Sequence, residues 1–266
     1  MKDILENPRI IPCAIYAPGR IISQLVIKGK NAPGVLAKIA SKIAEHGINI
    51  LSGLITAEPG AETGVLVLFL DLTGSKLSTE KLVEELKSLD VVIDAKITAK
   101  RFKDITIDGT SYETFFLGKR IVMLDVNDVG TMLSWLDETF GTGGHAILFE
   151  MGEAAGKAAA ERLRKIYGLE GRDLVETFLA LHTAAGWFDY EIVEYDEEAL
   201  KFVIRLFGNF ECVSFADRRK KPMSHLVRGA LTGVFSEAYR ANLRATEVKC
   251  VAEGDTCCEF VIEPPG

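Results

Sequence analysis

The feature that most constrains the fold of this chain is a regular alternation of strand and helix signals between residues 22 and 100. Short apolar runs bounded by turn residues indicate strands, and apolar residues spaced three and four apart indicate helices. The strand signals fall at 25–27, 48–51, 64–70 and 91–97, and the helix signals fall at 35–43 and 78–86. This β-α-β-β-α-β order is the split-βαβ arrangement. We therefore predict a ferredoxin-like domain over residues 22–100, with Ser78 as the N-cap of its second helix.

The rest of the chain follows a different pattern. Residues 1–21 form an N-terminal extension, and residues 101–118 are interpreted as a connector, because only 105–107 has the composition of a strand. Residues 119–266 combine helical spacing with two antiparallel hairpin patterns, at 187–207 and 245–262. We predict a second α/β domain with antiparallel hairpins and several helices. The fold class is thus α/β, of the α+β kind.

Two local patterns in the second domain lead to specific expectations. The run 145–149 is apolar and predicts a strand, followed by an alanine-rich helix that begins near residue 152. Gly152 and Gly156 lie four positions apart in this helix. Small residues at that spacing favour close packing against a neighbouring helix, and a helix N-terminus open to an anion is the alternative.

Composition limits the class of partner. The chain has 266 residues, of which 48% are hydrophobic, and a formal net charge of −7. An acidic balance argues against direct binding of nucleic acid or of an anionic membrane, since phosphate binding depends on clustered Lys and Arg. The longest apolar run, Val65 to Leu70, is far shorter than a membrane span. We expect a protein of the cytoplasm whose partners are small molecules and other proteins.

The first motif that could carry chemistry is Asn31-Ala32-Pro33-Gly34, at the start of the first predicted helix. Pro33 fixes φ and has no N–H to leave unpaired in the first turn, and Gly34 lets a ligand approach the backbone. The free N–H groups of the first turn suit a carboxylate. A plain strand-to-helix turn is the alternative interpretation.

The motif Asn-x-Pro-Gly-Val-Leu, followed by Ala44-Glu45-His46-Gly47-Ile48-Asn49-Ile50, resembles the ACT domain over residues 22–100. The resemblance implies a regulatory module that binds an amino acid at a dimer interface, between the first loop and the second strand. The ligand-binding positions that it implies are Asn31, Ala32, Pro33, Gly34, Val35, Leu36 and Asn49. A domain that only forms a homodimer, without a ligand, is the alternative.

Three of the five cysteines, Cys250, Cys257 and Cys258, lie in the last hairpin. A three-residue turn at 253–255 places Cys250 opposite Cys258, close enough for both to bind one zinc ion. A two-residue turn places Glu259 opposite Cys250 instead. Cys257 points to the other face in either register. Glu247 has the wrong parity to share the face of Cys250, so it can join the two cysteines only through a bulge or an irregular strand start.

The pattern Glu-x-x-Cys-x-x-x-Gly-x-x-x-Cys-x-Phe, with Met151-Gly152-Glu153 and Pro222-Met223-Ser224-His225, resembles the 4-vinyl-reductase-type domain over residues 119–266. The resemblance implies a small-molecule-binding fold. In its aromatic-compound sensors, zinc is held by one Glu and three Cys, and the matching residues here are Glu247, Cys250 and Cys258. The fourth position falls at or near Ser224. Substitution by His225 or Cys212, a water molecule in that position, or no zinc at all remain the alternatives.

Three functions are compatible with these patterns. The favoured one is a non-enzymatic sensor that binds an amino acid at the ACT-like domain and a small hydrophobic or aromatic ligand at the C-terminal domain. The second is an enzyme, or an accessory to one, that acts on a porphyrin-like or aromatic substrate with electrons from a partner. The third is an assembly module without a ligand. No catalytic residue is assigned, because the four histidines are scattered. The aromatic residues of the first hairpin are core residues or, alternatively, line an apolar pocket: Trp187, Phe188, Tyr190, Phe202 and Phe207.

Overall fold

The computed structural model describes residues 8–98, 100–110, 113–216 and 221–266. The first seven residues of the predicted extension and residues 111–112 of the predicted connector lie outside this described part. The chain divides into two compact units, Met1–Val122 and Met123–Gly266. Each unit is described by itself.

The first unit contains the predicted ferredoxin-like arrangement. Its elements are β1 (Ala14–Tyr16), β2 (Ile22–Lys30), α1 (Val35–Ala44), β3 (Asn49–Thr56), β4 (Thr63–Asp71), α2 (Thr79–Lys87), β5 (Val92–Ile97), β6 (Lys100–Phe102), β7 (Ile105–Ile107), β8 (Thr114–Phe116) and β9 (Lys119–Ile121). The main sheet is antiparallel, with strand order β3-β4-β2-β5. The β-α-β-β-α-β prediction is confirmed by β2 to β5 and their two helices.

One face of this sheet packs on the two helices. In α1, Val35, Ile39 and Ile43 are buried at helical spacing, and they join alternate strand residues in one hydrophobic cluster. The predicted N-cap of α2 is confirmed, since the Ser78 side chain accepts a hydrogen bond from Lys81 N. Gly34 precedes α1 at φ +85°, a backbone conformation that favours glycine.

A second, three-stranded sheet of order β1-β7-β6 covers one end of the other face, around Gln24 and Phe69. Gly109 N donates to the Gln24 side chain at 2.9 Å, and Thr106 Oγ1 donates to the carbonyl of Ile22 at 3.4 Å. Gln24 and Phe69 face each other across β2 and β4, and both side chains are fully buried. Segments from both sides of residues 22–98 therefore build the same unit.

The second unit has four antiparallel strands and five helices among its described residues. Its elements are α3 (Val126–Phe140), α4 (Thr142–Tyr167), α5 (Gly171–Ala184), β10 (Asp189–Asp196), β11 (Lys201–Phe207), α6 (Phe210–Val213), α7 (His225–Tyr239), β12 (Arg244–Lys249) and β13 (Cys258–Glu263). The sheet order is β10-β11-β13-β12. Both predicted hairpins are present. None of the described helices of the chain is long and apolar enough to cross a membrane.

The predicted strand at 145–149 is wrong, because these residues lie inside the 26-residue helix α4. A short apolar run fits a buried helix as well as a strand, and tertiary packing decides between them. Here Phe149, at the end of the run, belongs to the surface of α4 that packs on α7, and residues 145–149 are therefore helical.

Helices α4 and α7 pack backbone to backbone through four glycines. A Cβ atom placed on Gly152 or Gly156 would lie 2.0 or 2.2 Å from a carbonyl oxygen of α7. A Cβ atom on Gly229 or Gly233 of α7 would lie 2.1 or 2.2 Å from a carbonyl oxygen of α4. The close packing predicted for Gly152 and Gly156 is confirmed. This contact fixes where the first turn of α7 lies, next to the candidate site.

Candidate metal centre

Four potential metal ligands from separate parts of the second unit meet in its interior. They are Cys212 of α6, Glu247 of β12, Cys250 after β12, and Cys258 at the start of β13. One ligand atom from each residue lies within 4.8 Å of all the others, and all four residues are buried. The three residues proposed from the hairpin are thus brought together, and Cys212 is added to them.

Glu247 reaches the group through a bulge in its strand. The pairing of β12 with β13 shifts between Glu247, which pairs with Phe260, and Lys249, which pairs with Glu259. This is the irregularity that strand parity requires if Glu247 and Cys250 are to share a face. Since Glu259 pairs with Lys249, the two-residue-turn register is not adopted.

The end of the hairpin is wider than either tight turn. A 3-10 turn at Val251–Glu253 follows Cys250, and Gly254 has φ +102°. Cys250 N donates to the Asp255 carboxylate at 2.9 Å, which anchors the loop. Cys257 is buried but is not a member of the four-residue group.

Cys212 is held in place by the residues around it on α6. The Asn209 side chain caps this one-turn helix by accepting from Glu211 N. The Glu211 carboxylate accepts from Leu226 N at 2.8 Å and Val227 N at 2.9 Å, both in the first turn of α7. These bonds satisfy N–H groups that a helix start leaves free, and they fasten α6 to α7.

The fourth-ligand alternatives left by the sequence are now distinguished by position. Cys212 Sγ lies 3.6 Å from Cys250 Sγ, inside the group. His225 lies outside the group, with its ring stacked on His145 at a centroid distance of 4.0 Å. Nothing in the local sequence marks Cys212, because it is 38 positions from Cys250 and belongs to no recognisable spacing.

Ser224 donates two hydrogen bonds to a member of the four-residue group. Its hydroxyl donates to one carboxylate oxygen of Glu247 at 2.6 Å, and its backbone N–H donates to the other at 3.1 Å. The buried Asn209 amide donates to Ser224 Oγ at 2.9 Å and approaches the sulfurs of Cys212 and Cys258 at 3.8 and 3.7 Å. Ser224 therefore orients Glu247.

Burial and mutual contact shift the acidity of these groups. Desolvation, with the nearby Cys250 thiol second, raises the pKa of Glu247 to about 8. Hydrogen bonds from Cys212 and Cys250 lower the pKa of Cys258. The same contacts raise the pKa of Cys212. A buried set of acids whose members compete for one negative charge is the environment that a bound cation stabilises.

The donor set suits zinc. Thiolate and carboxylate are zinc ligands, and four protein ligands make a closed, structural type of site. Sulfurs bound tetrahedrally at about 2.3 Å lie about 3.8 Å apart, and the Cys212–Cys250 separation of 3.6 Å matches this value. Outer hydrogen bonds to the carboxylate, such as those from Ser224, accompany well-ordered metal sites.

A narrow apolar cavity, with no room for a water molecule, lies elsewhere in the second unit. Its lining is Phe178, His182, Trp187, Phe188, Val227, Ala230 and Leu231. Of the hairpin aromatics, Trp187 and Phe188 line this cavity, and Phe202 lies in the hydrophobic core. His182 Nδ1 contacts the carbonyl of Phe178 at 2.7 Å, and burial lowers the pKa of this imidazole.

The ligand-binding positions implied for the first unit lie at the start of α1 and of β3. Asn31, Ala32, Pro33 and Gly34 are exposed, as are Leu36 and Asn49, whereas Val35 is buried in the core. The Asn31 amide donates to the carbonyl of Ala61 at 2.9 Å, and Asn31 N donates to that of Glu62 at 2.8 Å. Asn31 therefore ties two loops together.

Comparison with known proteins finds a family match within each of the two units. A family model for the ACT domain matches residues 23–91, and one for the 4-vinyl-reductase-type domain matches residues 202–264. MJ0150, an uncharacterized protein of Methanocaldococcus jannaschii, is 23% identical over 127 residues, which are 47% of this chain and 68% of that protein.

Two solved structures are similar to parts of the chain. The phenol-responsive sensory domain of the transcription activator PoxR, crystallised with phenol, is 20% identical with a TM-score of 0.50, covering 56% of this chain and 79% of that one. The ACT domain of GTP pyrophosphokinase from Chlorobium tepidum is 18% identical with a TM-score of 0.25, covering 30% of this chain and 99% of that one. The likeness to PoxR shows a shared fold. The chain thus contains an ACT domain at residues 23–91 and a 4-vinyl-reductase-type domain at residues 202–264.

Proposed function

We propose that this protein is a ligand-binding regulatory protein whose second unit is held together by zinc and senses a small aromatic molecule. The observation that carries the proposal is the convergence of Cys212, Glu247, Cys250 and Cys258 within 4.8 Å in a buried place. When bound, zinc would supply a structural cross-link. It would join α6 to the last hairpin, two elements that are far apart in sequence.

The apolar cavity supports the choice of ligand class. Phe178 O is an acceptor only, so Nδ1 of the neutral His182 carries the proton and donates to it. Nε2 is then left as an acceptor. Three of the six other lining residues are aromatic, namely Phe178, Trp187 and Phe188, and the other three are aliphatic. This combination favours an aromatic ring that carries one hydrogen-bond donor, such as the phenol that PoxR binds.

The cavity is too narrow to hold a water molecule, so its walls must move apart when a ligand enters. That movement is what gives a sensor its output. A ligand shifts a conformational equilibrium only by its differential affinity for the two states, and a cavity that opens for the ligand supplies this difference.

In the ACT unit, we propose amino-acid binding at the exposed turn around Gly34, and homodimer formation, as the second regulatory input.

Zinc content tests the metal centre. Native mass spectrometry of the full chain, purified under reducing conditions, is expected to show one zinc per protomer. Cys212→Ser should lose most of this zinc, because only three ligands remain. Cys257→Ser is the matched control, since Cys257 is also buried but lies outside the group. If the Cys212 variant retains zinc as the control does, the four-ligand assignment is wrong.

Paired ligands test the cavity. Isothermal titration calorimetry of the full chain with phenol and with toluene is expected to show that both compounds bind. His182→Phe should weaken phenol binding by up to about tenfold, the worth of one hydrogen bond, and leave toluene unaffected. No heat with either compound would refute aromatic sensing at this cavity. Equal losses for both compounds would refute the role of the imidazole.

A further inference from the structure

We infer that the one-turn helix α6 couples the metal centre to the apolar cavity, so that metal binding orders the cavity wall through Glu211. This inference rests on the proposed function, because it requires a metal at the four-residue group. It assigns Glu211 as a positioning residue, which touches neither the metal nor the ligand.

Three consecutive residues of α6 each reach a different part of the unit. Phe210 N donates to the carbonyl of Trp187 at 2.9 Å, and the two rings meet edge to face at a centroid distance of 4.8 Å. The Glu211 carboxylate binds the N–H groups of Leu226 and Val227. Cys212 belongs to the metal centre.

Two of these three contacts end on the cavity wall. Both Trp187, in the loop between α5 and β10, and Val227, in α7, line the cavity. Phe210 holds the backbone of the first and Glu211 holds the backbone of the second. A shift of α6 would therefore move two walls of the cavity together.

The position of α6 depends on its anchors, because a single helical turn has no stability of its own. Without a metal, the Cys212 sulfur is held by non-covalent contacts with Asn209 Nδ2, Ser224 Oγ and Cys250 Sγ. A metal–thiolate bond is far stronger and fixes this residue to the last hairpin. Metal binding should therefore restrict α6 and, through it, the cavity wall.

Thermodynamic linkage makes the effect reciprocal. If the metal favours the ordered wall, any molecule that binds the ordered cavity better raises metal affinity by the same factor. The two sites of the second unit would then act as one sensor that responds to metal and aromatic ligand together.

The test uses Trp187 as its reporter. The full chain with Trp135→Phe keeps Trp187 as the single tryptophan, and Trp135 is a suitable position because it is 60% exposed. Co²⁺ replaces zinc under reducing conditions, and its thiolate charge-transfer bands report binding at the cysteines. Acrylamide quenching of Trp187 is then measured with and without Co²⁺. We expect the quenching constant to fall at least about twofold on metal binding, as the wall becomes ordered.

Two variants separate the coupling from metal binding itself. Glu211→Gln should keep the cobalt bands and weaken the Trp187 response, since the amide oxygen can accept from only one of the two backbone N–H groups and its NH₂ cannot accept from the other. Glu237→Gln is the matched control. It removes a carboxylate that binds Arg164 near the far end of α7, and it should keep both signals.

The outcomes are distinct. Cobalt bands without any change in Trp187 quenching overturn the coupling and leave the metal centre intact, and this comparison needs no variant of Glu211. An equal Trp187 response in the Glu211 and Glu237 variants overturns the role assigned to Glu211. Absence of cobalt bands overturns the metal centre and the coupling with it.

Discussion

Gly156→Ala is the sharpest test of how the second unit is packed. The added Cβ would lie 2.2 Å from the carbonyl oxygen of Ala230 and 3.0 Å from two more of its backbone atoms. All three atoms belong to the backbone of α7, so no side-chain rotation can relieve the contact. An ordinary contact at this position is about 3.4 Å or longer, and the helices would have to separate by roughly 1 Å.

The cost follows from two opposing effects. Overpacking of this kind destabilises by about 1–3 kcal/mol or somewhat more, and alanine regains about 1 kcal/mol of helix propensity over glycine. Because the clash involves rigid backbone along a helix pair, we expect a net loss of about 2 kcal/mol. For a unit of this size, that corresponds to a fall in Tm of about 4–8 °C.

Tryptophan fluorescence is the appropriate assay. Both tryptophans of the chain, Trp135 and Trp187, lie in the second unit, so urea unfolding followed by their emission reports on that unit. The matched control is Gly143→Ala in the same helix, where an added Cβ meets nothing within 4 Å. The control should be stabilised by about 0.5 kcal/mol. If Gly156→Ala is as stable as this control, the backbone contact does not constrain the helices.

Three further predictions concern other parts of the molecule. Ser224→Ala should retain the thiolate–cobalt bands but lower cobalt affinity by about 10-fold to 100-fold, measured by chelator competition, because Glu247 loses an orienting hydrogen bond. Burial lowers the pKa of His182 below its ordinary value of 6.5. As the pH falls below 6.5, the imidazole takes up a proton in the unfolded chain but not in the folded one. The stability that the neutral His182 contributes is therefore intact above pH 6.5 and declines below it. Urea midpoints between pH 7 and 5 should therefore fall less steeply for His182→Gln, and an unchanged slope would contradict this. Phe69→Ala should lower the free energy of unfolding of the first unit by about 3–5 kcal/mol and speed hydrogen exchange in β1 and β7. Unchanged exchange in those strands would show that Phe69 does not support the sheet that packs on it.

The first unit shows what sequence periodicity can establish. Its main sheet and both helices follow directly from the spacing of apolar residues, and the Ser78 cap follows from the chemistry of the helix start. The covering sheet was harder to foresee. A three-residue strand such as β1 is too short to show a period, and it forms only because β7 pairs with it.

In the metal centre, too, one part can be predicted from the sequence and another part cannot. Strand parity correctly required a bulge for Glu247 to join Cys250, and the structure has that bulge. Parity carries no information about Cys212, because α6 reaches the hairpin only through contacts of the folded chain. The strand predicted at 145–149 fails for a related reason, since packing against α7 outweighs local composition.

The pairing of β1 with β7 also affects the order in which the first unit can assemble during synthesis. The chain emerges from the ribosome with β1 first, and its partner follows only after the whole of the main sheet. Until then, the buried surface at Gln24 and Phe69 remains open to solvent and to other chains. A fragment limited to residues 22–100 would keep that surface uncovered, so expression of the ACT region alone should begin before residue 14 and extend past residue 109.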